Sequence, residues 1–231
     1  SSATAEDLPQ ASFAGQQDSF LNISQAALLL DKIKACWASL WSSRAIAYRR
    51  DQQIDEEGLG IAVVVQAMVD AEVSGVMFTI NPIGGDEIVI ESNWGLGESV
   101  VSGEVTPDHL IVSKLDGQVI SEKIAAKRQM VGRMGLIEVP IDKRDMPSLR
   151  RDLVYQLVNH GMDIENFYGT PQDIEWAYSD NQFYILQARA VTTLTYTAQI
   201  EILRRREIDV LEQKSDPDGT VWSRYNLAEV L

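Results

Sequence analysis

Two short stretches late in the chain, "PQDIEWAY" from Pro171 and "FYILQARA" from Phe183, alternate in polarity with a period of two. That period is the mark of half-buried β-strands, whose successive side chains point to opposite faces. In the first stretch Ile174, Trp176 and Tyr178 share one face, and Asp173, Glu175 and Ala177 the other. In the second, Tyr184, Leu186 and Ala188 share a face, and Phe183, Ile185, Gln187 and Arg189 the opposite one. A two-residue connection would leave Glu175 and Gln187 on opposite faces of the pair. Matching the apolar faces therefore predicts an odd loop around Asp180–Asn181, most simply of three residues. The odd loop converges Glu175, Gln187 and Arg189 at one spot. A carboxylate and an amide oxygen are hard ligands suited to Mg²⁺, and a guanidinium is a fork for phosphate. The alternative is a Glu175–Arg189 salt bridge on a wet sheet face, and spacing alone leaves both open.

The rest of the chain surrounds this hairpin with more strands and a few helices. Ser24 is placed to cap one long helix running to about Arg50, with Leu29, Ile33, Trp37, Leu40, Trp41 and Tyr48 on one apolar stripe. The tryptophans of that stripe read as core. From Ile61 the β-branched runs "IAVVVQAMV" and "SGVMFTINP" read as strands, and "DEIVIES" as a third. "DHLIVSK" and "QVISEKIA" flank Asp116–Gly117, which suits a type I′ hairpin turn. Met146 to Phe167 reads as a helix opened near Pro147 and interrupted by Gly161. Strands with hairpins and a few helices give an α+β fold with a largely antiparallel sheet, not a doubly wound parallel one.

Between two of these strands runs "IESNWGLGESVVSGEVTPDHLIV", with Gly95, Gly97 and Gly103 close together. Glycine there costs folding entropy, so it implies a turn or a close approach of backbone to something else. An exposed loop near a ligand cleft is expected. It is not a dinucleotide fingerprint, because position 100 is Val100, and no G-x-x-x-x-G-K-[ST] phosphate loop occurs. His109 and His160 have no metal-type spacing to each other or to Cys36, and read as structural.

A formal net charge of −14 argues against a nucleic-acid binder held by a basic face. It does not exclude a nucleotide, because a divalent cation can bridge carboxylates and phosphates. One cysteine forms no intrachain disulfide and favours a reducing, cytoplasmic setting. No apolar run approaches the length of a membrane span. The opening "SSATAEDLPQASFAG" reads like the interior of a longer protein.

The stretches "SSATAEDLPQASFAGQQDSFLN", "SGVMFTINP", "WGLGESVVSGEVTPDH", "GTPQDIEWA" and "ILQARAVT", in this order, resemble the ATP-binding domain of phosphoenolpyruvate synthases and pyruvate phosphate dikinases. The related rifampin phosphotransferases carry the same domain. The resemblance covers residues 1–193, leaving 194–231 as a linker and the start of a further domain. It implies an ATP-grasp fold, here lacking its upstream part, in which two lobes clamp ATP. By resemblance Gly15 would lend a backbone N–H to the phosphates, while Gln66 and the backbone of Ala67 and Met68, on a strand linking the lobes, would face adenine. Glu175 and Gln187 would be the Mg²⁺ ligands, and Arg189 would hold phosphate. The Arg and the Lys that bind phosphate in the family would precede Ser1. Mg²⁺–ATP would pass its β-phosphate to a carrier histidine in another domain of the same chain, and from there to pyruvate. "VWSRYNLAEVL" resembles the entry to the antibiotic-binding domain of the rifampin enzymes, which is the close alternative. A non-catalytic nucleotide-binding module and an interaction domain without ligand are the other readings.

Overall fold

The computed structural model describes residues 2–3, 7–8, 11–12, 18–51, 54, 58–101, 105–191 and 208. Three two-residue strands come first: β1 (Ser2–Ala3), β2 (Asp7–Leu8) and β3 (Ala11–Ser12). Helices α1 (Ala26–Ser39) and α2 (Ser43–Asp51) follow, then β4 (Ile61–Ala62), which pairs with β1. Next come β5 (Val73–Phe78), β6 (Ile88–Trp94), a short α3 (Glu98–Val101), β7 (Asp108–Val112) and β8 (Val119–Lys123). A small hairpin of β9 (Gln129–Gly132) and β10 (Gly135–Glu138) leads to a 3-10 turn at Ile141–Lys143 and to α4 (Arg151–Tyr168). Strands β11 (Gln172–Ser179) and β12 (Gln182–Ala190) are the last of the described strands.

Six strands form one antiparallel sheet in the order β12-β11-β5-β6-β7-β8. β5 to β8 are laid down in sequence. The hairpin β11–β12 returns from a distance and adds to the free edge of β5. One face carries Met77, Ile90, Leu110, Ile174 and Trp176, and packs against Leu153, Val154, Leu157 and Val158 of α4. Gly161 does not interrupt α4. A side chain there would run into Met77, so its absence lets the helix lie close to the sheet.

The odd loop expected between the last two strands is not formed. The connection is Asp180–Asn181, with φ of 51° and 60°, the conformation of a type I′ turn. Asp and Asn tolerate this left-handed backbone better than other side chains. Parity is restored on the strand itself. The register shifts at Glu175/Trp176, so Trp176 pairs with Ile185 but Glu175 pairs with Gln187, and Leu186 is the extra residue of a β-bulge. Phe183 and Ile185 thus join the core-side face while Gln187 and Arg189 turn to the other. Phe183 packs edge-on to Trp176 with ring centres 5.7 Å apart.

Other expectations are corrected in the same way. The first helix is split, because the Ser42 hydroxyl accepts from Ala45 N and caps α2, and buried Arg49 donates to Leu40 O at 2.7 Å. Its N-cap position is Gln25, not Ser24, and no side chain caps it there. Trp37 and Trp41 are 52% and 54% exposed, not core. "IAVVVQAMV" is a strand only at Ile61–Ala62, and the "DG" connection runs from Ser113 to Gln118 with positive φ at Gly117 alone, so it is not a type I′ turn.

The start of the glycine loop bends inward instead of lying exposed. Gly95 and Leu96 are buried, and Leu96 N donates to Val131 O at 2.8 Å. Gly95 has φ of 77°, and a Cβ there would collide with the Val131 carbonyl oxygen. Gly97 has room for one at ordinary contact distance from Ser74 Oγ, and Gly103 lies outside the described residues.

Candidate functional site

The face of the sheet turned away from α4 carries the polar hairpin residues, and the register orders them. Across the strands, one row reads Gln187, Glu175, Val76, Glu91, His109, Lys123. The next row, towards the start of β11, reads Arg189, Asp173, Phe78, Val89, Ile111, Ser121. Each Glu175–Gln187 and Asp173–Arg189 pair sits directly opposite, where side chains on neighbouring strands meet. The bulge at Leu186 is the local device that produces this, since without it Gln187 and Arg189 would face α4.

Arg189 pairs with Asp173 and not with Glu175. Its Nε and Nη2 both donate to Asp173 Oδ2, at 2.9 and 2.7 Å. The Arg189 side chain is only 26% exposed and that of Asp173 11%, so the two-donor pair is largely shielded from water. Asp173 is the residue that the sequence reading missed. Its signal was present, two positions from Glu175 on the same face, but the partner across the strand became visible only with the bulged register. Burial pushes the Glu175 carboxyl above the ordinary carboxylate range; the Asp173 charge adds to the rise and Arg189 opposes it. A half-buried carboxylate with a like charge beside it is a place that favours an added cation. Farther along the row, His109 Nδ1 lies 3.3 Å from Glu91 Oε1.

Gln66, Ala67 and Met68 are exposed and lie in the irregular segment between β4 and β5. That segment is tied to the far end of the hairpin. Asp70 O accepts from Ser179 Oγ at 2.8 Å, Glu72 N donates to Tyr178 O at 3.0 Å, and Asp180 N donates to Glu72 Oε1 at 3.3 Å. Arg133, at the tip of β9–β10, reaches Asp70 at 2.9 Å. Gly15 lies outside the described residues. Among the described residues no group of three or more His, Cys, Asp or Glu side chains is assembled for a metal. Any cation here would have one carboxylate and one amide from the protein, with its remaining ligands from elsewhere.

Residues 1–209 match the family described as pyruvate phosphate dikinase, AMP/ATP-binding domain. The chain belongs to that family. It is 49% identical over 201 residues to a probable phosphoenolpyruvate synthase of Methanocaldococcus jannaschii, covering 84% of this chain and 17% of that protein. It is 49% identical over 213 residues to the same kind of protein from Methanothermobacter thermautotrophicus, covering 90% of this chain and 31% of the relative. It is also 46% identical over 201 residues to a rifampicin phosphotransferase of Streptomyces sviceus, covering 84% of this chain and 23% of the relative. The chain thus spans less than a third of the length of these relatives. Membership agrees with the α+β architecture and the mainly antiparallel sheet. No described helix is long and apolar enough to cross a membrane.

Proposed function

We propose that this chain is the ATP-binding part of a dikinase-type phosphotransferase in the cytoplasm, whose nucleotide lies on the sheet face presented by β11 and β12. The observation that carries the reading is the direct opposition of Glu175 and Gln187, with the Asp173–Arg189 pair in the next row, in a chain of an AMP/ATP-binding family. Glu175 and Gln187 fit Mg²⁺, because both offer oxygen and the raised Glu175 carboxyl gains from a cation beside it. When bound, Mg²⁺ supplies charge neutralisation for the phosphates. Arg189, held by Asp173, would supply guanidinium charge to the phosphates. Gln66 and the backbone of Ala67 and Met68 hold adenine, and Gly15 lends its N–H to the phosphates. The way out of the ATP-binding domain lies within residues 194–231, where the family match ends at 209.

In the whole protein the β-phosphoryl group passes to a carrier histidine in another domain and then to pyruvate, with the γ-phosphate released. The chain's own contribution is positioning and charge stabilisation, with no covalent intermediate on it. The 46% identity to a rifampicin phosphotransferase favours a second reading, in which the same domain serves an antibiotic acceptor. Calorimetry on the full-length protein tests the site. Mg²⁺–ATP should bind to wild type and bind on the order of 10- to 100-fold more weakly to Glu175→Gln, the loss expected for one charged contact. Equal binding by both would remove Glu175 from the site. Pyruvate- and rifampicin-dependent consumption of ATP then separates the two acceptors.

A further inference from the structure

The order of pairs along the hairpin leaves one position between the adenine segment and the cation ligands. Starting from the end tied to Asp70 and Glu72, the open face presents Ser179 with Gln182, then Ala177 with Tyr184, then Glu175 with Gln187, then Asp173 with Arg189. Two residues on a strand advance about 7 Å, so the first and last of these β11 positions are about 20 Å apart. A nucleotide with its base at Gln66–Met68 and its phosphates at Glu175, Gln187 and Arg189 must pass over the second pair. That pair joins the smallest side chain on the open face of β11, Ala177, to the one aromatic side chain on the open face of the hairpin. Ala177 is buried at 1% exposure, and Tyr184 is half-buried beside it. The Tyr184 hydroxyl meets Gln182 Nε2, which steadies the ring on the strand.

We propose that Tyr184 is the platform on which the nucleoside part of the ligand stacks, so that it sets affinity for nucleotides over bare polyphosphates. The proposal rests on the reading of this face as the ATP site. The half-buried aromatic face of Tyr184 suits a flat base or sugar ring better than a phosphate chain. Type I′ geometry at Asp180–Asn181 and the bulge at Leu186 both contribute, because together they put Tyr184 on the open face with Gln187 although the two are three residues apart.

Equilibrium binding of Mg²⁺–ATP and of Mg²⁺–tripolyphosphate to the full-length protein tests it, with wild type, Tyr184→Phe, Tyr184→Leu and Tyr184→Ala. Tyr184→Ala should weaken ATP on the order of 10- to 100-fold, the size of one lost base–aromatic contact. Tripolyphosphate should bind it as it binds wild type, which also shows that the variant is folded. Tyr184→Phe should keep ATP affinity, and Tyr184→Leu should fall between. Unchanged ATP binding by Tyr184→Ala, or parallel loss of both ligands in the Ala and Leu variants, overturns the proposal while leaving the ATP site in place. A wild type that binds tripolyphosphate but not ATP overturns the nucleotide reading itself, and this proposal with it.

Discussion

Glu175 is where burial, charge and function pull against one another. Its carboxyl is raised above the ordinary range first by burial and then by the neighbouring Asp173 charge. A carboxyl raised in the fold stabilises the fold fully below its unfolded pKa, and that contribution is lost as pH rises through the folded value. Once ionised, Glu175 therefore weakens the fold. We predict that Glu175→Gln melts at the same or a higher temperature than wild type at pH 7, while binding Mg²⁺–ATP more weakly. A clear drop in melting temperature would mean that the carboxylate is structurally needed. Since a cation requires the ionised form, Mg²⁺–ATP affinity should begin to fall, on acidification, at a higher pH than an ordinary glutamate would give. The neighbouring pair makes a second prediction. Asp173→Asn removes the carboxylate that receives both Arg189 donors, so it should lower stability by about 1–3 kcal/mol in chemical denaturation. It should also weaken ATP binding less than removal of Arg189 itself, because the guanidinium remains.

At the scale of the element, the bulge at Leu186 matters more than the side chain it carries. Deleting Leu186 would turn Gln187 and Arg189 towards α4 and Ala188 towards the open face. The variant should lose ATP binding and melt well below wild type, because a guanidinium would be driven against an apolar helix. Retention of binding would show that the register is not what assembles the site. The glycine loop supplies a contrasting pair. Gly95→Ala meets both a positive φ and the Val131 carbonyl, and should cost about 1–3 kcal/mol; Gly97→Ala should stay within about 0.5 kcal/mol. Denaturant midpoints measure both. Equal effects would mean that the loop is held by something other than the close approach of Gly95 to β9.

Across the whole molecule, one buried ion pair fastens the excursion between β8 and α4 to the sheet. Lys127 Nζ donates to Asp108 Oδ1 at 2.6 Å, with the two side chains at 0% and 1% exposure. Asp108 also accepts from Ala125 N at 2.9 Å and from both Ser148 N and Ser148 Oγ at 2.7 Å. A carboxylate so surrounded is fully satisfied, and removing its cation leaves a buried charge uncompensated. Lys127→Met should therefore destabilise by about 3–5 kcal/mol. Hydrogen exchange should show residues 124–148 losing protection before β5, β6 and β11 do. Uniform loss would mean that the pair supports the sheet itself and not the excursion.

Periodicity and turn residues already carried the strands β5 to β8, the last hairpin, α4 and the α+β class, because each depends on neighbours a few positions away. The hairpin faces were also legible, and with them the convergence of Glu175, Gln187 and Arg189. Their mechanism was not. A two-residue turn plus a bulge gives the same parity as a three-residue loop, and alternation of side chains cannot tell one from the other. The Asp173–Arg189 pair was hidden for the same reason, since which residues stand opposite depends on where the extra residue is placed. The break at Ser42 and the exposure of Trp37 and Trp41 depended on what packs against α1 and α2. An apolar stripe records only that a surface is apolar, not what covers it. Tertiary structure also decided that Gly95 serves the approach of Leu96 to Val131, because the backbone it makes room for arrives from β9, some 36 residues later in the chain.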